Sequence, residues 1–167
     1  DVAGLDGFGK GCLIDQAAAV GCPRIIGPVY SVVGLIGPHD DAEKKQQFDL
    51  VVKNLKPIAQ HAEKKGVQIC IEPLNRFETD FLNTCDQGLK LVKAIGSKAV
   101  KLHLDTFHMN IEEKNQAAAI RKAGFDGEEL VKALLFSVFE GGLKHGLFHG
   151  DLHAGNLHVD KDGKIVF

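Results

Sequence analysis

The chain has 167 residues, 44% of them hydrophobic and 25% charged, with 20 Lys+Arg against 22 Asp+Glu and a net charge of −2. That balance leaves enough apolar surface to bury a core, which excludes disorder as the main state, and it excludes a strongly basic nucleic-acid surface. No apolar run reaches the roughly 20 residues a membrane span needs, and a complete (β/α)8 barrel usually takes about 250 residues. Neither nucleic acid nor membrane is expected as a partner.

In chain order, Lys10 to Val20 is predicted as a short helix ended by Gly21. The apolar run Arg24–Val29 follows as a buried strand that stops at Gly27-Pro28, and a Gly-rich stretch leads to Pro38. Asp40 with Glu43 has capping-box spacing, although Ser or Thr is the usual first residue. It opens a long helix whose apolar positions, Phe48 through Ala62, fall at helical intervals. Pro57 inside it predicts a kink, and Gly66 ends it. Val67–Ile71 reads as a second strand, followed by a loop through Asn83. Thr84 with Gln87 repeats the capping box, and the helix it opens stops at Gly96. Ala99–Leu104 is a third strand. Strands alternating with helices predict a parallel sheet covered by helices.

The texture changes after Gly124. Asp126 caps a predicted helix with a broad apolar stripe from Leu130 to Leu143, expected to be well buried. Two short apolar runs around Asp162-Gly163 read as a β-hairpin. The expected class is α/β: a parallel sheet of three to four strands with flanking helices, then a C-terminal helix and hairpin. The expected segments are 1–124 and 125–167, in one compact domain.

The four cysteines, Cys12, Cys22, Cys70 and Cys85, form no CxxC pair, which argues against zinc. Cys22 and Cys70 border or lie in apolar segments and are expected as buried, reduced thiols of a cytoplasmic protein. The chain opens on Asp1-Val2-Ala3 without Met or a signal-peptide pattern, so its start is expected to be a cut or processed end, and it stops at Ile165-Val166-Phe167 within a predicted strand.

In parallel α/β sheets, ligands bind beyond the carboxyl ends of the strands. Glu72 directly follows the second strand and Asp105 the third. On adjacent strands about 4.8 Å apart, both carboxylates reach one point, and two hard oxygen donors there favour a divalent ion. The same residues can instead cap the turns that follow. His39, His61 and His103 have no chemical context in the sequence and are expected at the surface or half-buried.

The segment Ile71-Glu72-Pro73-Leu74-Asn75-Arg76-Phe77-Glu78 with Phe81-Leu82-Asn83-Thr84, the segment Leu104-Asp105-Thr106-Phe107-His108-Met109-Asn110-Ile111-Glu112-Glu113, and the earlier Gly27-Pro28-Val29-Tyr30-Ser31-Val32-Val33-Gly34 resemble the ketose (tagatose/psicose) 3-epimerases of the xylose-isomerase-like TIM barrels, in order and spacing across about residues 9–124. The resemblance implies that the α/β sheet is a partial TIM-barrel-like parallel sheet of three to four strands, and that Glu72 is a metal ligand and a catalytic carboxylate. It implies Asp105 as a second ligand, and Glu78 and His108 as holders of hydroxyls of a small sugar. The implied chemistry is removal of the proton beside a ketone and its return on the opposite face, with a divalent ion (Mn2+, Mg2+ or Co2+) stabilising the charge. The family's next strands carry a His ligand and a second catalytic Glu, and no such pair follows Asp105 in the expected frame. An ion on two carboxylates is expected to bind weakly.

Residues 124–167, with Gly127-Glu128-Glu129-Leu130-Val131 and Gly146-Leu147-Phe148-His149-Gly150-Asp151-Leu152-His153-Ala154-Gly155-Asn156, resemble the catalytic-loop segment of the ABC1/UbiB atypical kinases. By that likeness Asp151 orients or deprotonates an acceptor and Asn156 holds a metal. His149, in a cluster with His145, His153 and His158, can add an imidazole, or these histidines are structural parts of the loop. No nucleotide-binding lobe precedes the segment.

Two resemblances, each incomplete, lead to the expectation of an artificial or recombined chimera with little or no catalysis. The alternatives are a working metal-dependent ketose 3-epimerase and an ATP-binding kinase-like relic. Open sheet edges are expected to be covered by the helix after Asp126 or by a second copy of the chain, as a homo-oligomer.

Overall fold

The computed structural model describes residues 12–146, together with 158–159 and 165–166. Expectations that fall on Lys10, His149, Asp151, His153, Asn156 and the Asp162-Gly163 turn lie outside these residues. The chain divides into two units, one running through Leu104 and the other beginning at Asp105.

In the first unit, helix α1 (Cys12–Ala19) precedes strand β1 (Arg24–Gly27), helix α2 (Asp41–Lys65), strand β2 (Gln68–Ile71), helix α3 (Cys85–Ile95) and strand β3 (Val100–Leu102). The three strands form one sheet in the order β1-β2-β3, both pairs parallel. The central strand reads Gln-Ile-Cys-Ile and is buried at its last three positions. An unbroken apolar run suits a strand covered on both faces better than alternation does.

Both capping boxes form. The Asp40 carboxylate accepts from the Glu43 N–H at 2.8 Å, and Glu43 returns a bond to the Asp40 N–H at 2.9 Å. Thr84 and Gln87 do the same at the start of α3. Buried Val51, Leu55, Ile58, Ala59 and Ala62 line one face of α2 and pack into the core with Ile69, Ile71, Leu91 and Val100. Helix α2 continues through Pro57 as one helix. The buried residues on either side of the proline hold both halves against the same core, so the missing backbone bond does not end the helix. Gly66 closes it at φ 70°, its N–H reaching Ala62 O and Glu63 O.

The second unit contains α4 (Thr106–Glu112), α5 (Gln116–Lys122), α6 (Gly127–His145) and the antiparallel pair β4 (His158–Val159) and β5 (Ile165–Val166). The hairpin pairing agrees with its prediction. The burial of α6 does not: among its described residues none is buried, and Phe136, Phe139 and Leu143 are exposed. Its apolar stripe is present in the sequence, but the short elements of its own unit do not cover it. Cys22 is also exposed rather than buried, since it lies in the open turn after α1, while Cys70 and Cys85 are buried free thiols. Burial pushes the Cys70 thiol pKa up. Among the described residues, no helix is long and apolar enough to cross a membrane.

Candidate metal centre

The ladder continues one residue past the assigned strands. The Glu72 N–H donates to Gly27 O at 3.2 Å, and the His103 N–H donates to Ile71 O at 2.8 Å. Ile71 pairs with Leu102, so the next rung sets Glu72 level with His103. Level residues of a parallel pair present their side chains to the same face, and so do residues two apart on one extended strand. His103 and Asp105 are two apart. The three side chains therefore converge for reasons of register and of period along a single chain segment.

Glu72 Oε1 lies 3.6 Å from His103 Nε2, with the two side chains only 15% and 11% exposed. One ligand atom from each of Glu72, His103 and Asp105 falls within 4.8 Å of the others. Two carboxylates and an imidazole suit divalent first-row ions. Asp105 also caps α4, its Oδ1 accepting from the Phe107 N–H at 2.7 Å. The capping alternative is thus present in the same carboxylate that belongs to the candidate cluster.

The loop that leaves Glu72 is built rigidly. The buried Tyr30 hydroxyl donates to Glu72 O at 2.8 Å and contacts Leu82 O at 3.2 Å. Burial pushes this phenol's pKa well up, so it stays a donor. Its ring stacks on Phe81 with centroids 5.4 Å apart. The amide of Asn83 donates to Leu74 O and Thr79 O, and the Gly34 N–H donates to Glu78 O at 2.7 Å. His39 Nδ1 meets Asp80 Oδ2 at 2.6 Å. Together these bonds tie the loop after β1 to the loop after β2.

The structure places the sequence-derived candidates as follows. Glu72 and Asp105 belong to one cluster. Glu78 is half-buried and accepts from the Asn75 amide at 2.6 Å. His108 is buried on α4, its ring edge-on to Phe107 at 5.3 Å. His149, Asp151 and Asn156 lie outside the described residues. His39, His61 and His103 are half-buried, as expected, but each has a carboxylate neighbour that the sequence did not reveal. His39 pairs with Asp80, His61 Nε2 lies 3.0 Å from Asp15 Oδ1, and His103 stands in the candidate metal centre. The signal for His103 was its two-residue spacing from Asp105 at a strand end.

A family model described as xylose isomerase-like TIM barrel matches residues 12–145. L-ribulose 3-epimerase of Mesorhizobium japonicum is 43% identical over 133 residues, covering 72% of this chain and 45% of that protein. The crystal structure of D-psicose 3-epimerase with D-tagatose from Clostridium cellulolyticum H10 superposes with a TM-score of 0.63 at 36% identity, covering 70% of this chain and 39% of that one. An uncharacterized protein of Mycobacterium tuberculosis (strain H37Rv) is 85% identical over 53 residues, 32% of this chain and 11% of that protein. The chain thus spans less than half the length of each of these relatives. They favour the working-epimerase alternative over a recombined chain with an idle site, and they lend no support to the kinase-like resemblance.

Proposed function

The chain belongs to the xylose isomerase-like TIM-barrel family, and from that premise we propose that it carries the metal-holding and proton-abstracting part of a ketose 3-epimerase site. The observation that carries this reading is the cluster of Glu72, His103 and Asp105 beyond two adjacent parallel strands. Relatives whose names state ketose 3-epimerase activity support it. The donor set fits a divalent ion, with Glu72 and Asp105 as carboxylate ligands. When bound, such an ion supplies Lewis-acid polarisation of the ketone and offsets charge that develops on oxygen.

The chain's own residues do the remainder. Glu72 takes the proton from the carbon beside the ketone. Its backbone is fixed on one side by Gly27 O and on the other by the Tyr30 hydroxyl, which limits the positions its carboxylate can take. Asp105 is oriented by the Phe107 N–H. Glu78 and His108 are the groups proposed for sugar hydroxyls. A single base can return a proton only to the face from which it came. Inversion at C3 needs a second acid–base group on the other face, whereas exchange of the C3 hydrogen with solvent needs Glu72 alone.

The test is NMR of D-psicose or D-fructose in D2O with the Mn2+-loaded protein. Loss of the C3–H signal that disappears in Glu72→Gln supports the proposal. No exchange above the metal-only control at high protein concentration contradicts it.

A further inference from the structure

We propose that His103 is a third donor to the divalent ion, binding through its imidazole Nε2 beside the Glu72 and Asp105 carboxylates. The inference rests on the metal reading above and adds a ligand that the sequence resemblance does not supply.

Distance is the first argument. His103 Nε2 and Glu72 Oε1 are 3.6 Å apart, beyond the roughly 2.7–3.2 Å of a hydrogen bond. Two donors on one ion, each about 2.1 Å from it, stand about 3.0–3.4 Å apart in octahedral or tetrahedral arrangements. The observed gap is close to that separation and below the roughly 4.2 Å limit of two opposed bonds. The gap is thus wide enough to admit one ion bound by both groups.

Placement is the second argument. The His103 backbone is pinned by its bond to Ile71 O, and its side chain is slightly better shielded from water than that of Glu72. Asp105 is the next residue but one along the chain, on the same side of the extended segment. Its bond from the Phe107 N–H is the kind of outer contact that orients a ligating carboxylate. Three protein donors contributed from one side leave the remaining positions open to substrate oxygens, as a catalytic metal site requires.

The experiment is pulsed EPR of the full chain loaded with Mn2+, with affinity measured in parallel by calorimetry. Wild type is expected to show 14N modulation from a directly bound imidazole. His103→Gln is expected to lose that modulation and to bind Mn2+ about tenfold more weakly or worse, since even outer-shell partners are worth about 10–100-fold. His61→Gln, which alters the imidazole beside Asp15, should retain it. Circular dichroism checks folding, and His103→Asn serves if the Gln variant does not fold. Mn2+ binding without 14N modulation in wild type, or with modulation unchanged in the His103 variant, overturns this inference and leaves the metal reading standing. Absence of Mn2+ binding to wild type overturns both.

Discussion

The Tyr30 hydroxyl donates to the backbone oxygen of Glu72 at 2.8 Å, joining a residue beyond β1 to the first residue beyond β2. The bond spans 42 positions of sequence and fixes the backbone of the proposed base from a buried ring. Tyr30→Phe keeps the ring's stacking on Phe81 and removes only the donor. It is expected to cost about 1–2 kcal/mol of stability, read as a lower denaturation midpoint, and to weaken Mn2+ binding. An unchanged midpoint would show that the hydroxyl does not anchor this loop.

Gly88 lies where α3 approaches the ends of β2 and β3. A Cβ there would stand 2.3 Å from Leu102 Cδ1 and 3.2 Å from Pro73 Cγ. Leu102 can swing its tip, but the proline ring cannot. Elsewhere in a helix, Gly to Ala gains up to about 1 kcal/mol. Here overpacking of about 1–3 kcal/mol outweighs it, so Gly88→Ala is expected to lower the thermal midpoint. A raised midpoint would mean that the gap between helix and sheet yields.

Asp80 gives the loop clasp a pH dependence. Partial burial alone would raise its carboxyl pKa, but the bonds from His39 and from the Gly37 N–H outweigh burial and hold it below the usual range. A carboxyl lowered in the folded state stabilises above the unfolded value, about 3.9, and loses that contribution as pH falls through the folded value. Asp80→Asn should therefore lower the thermal midpoint at pH 7, with the gap to wild type closing on acidification below about pH 4. A gap that stays constant would remove the clasp from the account.

Much of the first unit was legible because its signals are local. The Asp40–Glu43 and Thr84–Gln87 pairs and the stops at Gly66 and Gly96 act within one helical turn, and each appears as expected. Glu72 and Asp105 were singled out because each directly follows a run read from the sequence as a strand, and the structure puts both in the candidate cluster although β3 already ends at Leu102. Pro57 sits inside one continuous helix because buried residues on both sides of it hold the two halves against a core that only the folded chain assembles. The apolar stripe of α6 misled for the opposite reason: spacing tells which side chains share a face, not whether anything covers it. His103 was overlooked because it was weighed as a lone histidine rather than at its two-residue interval from Asp105.

The most direct measurement is calorimetric titration of Mn2+ into the wild-type chain and into the doubly substituted Glu72→Ala, Asp105→Ala chain. The account predicts one ion per wild-type chain and loss of that binding in the double variant, with the fold retained. Equal binding by the two chains, or none by the wild type, would contradict it.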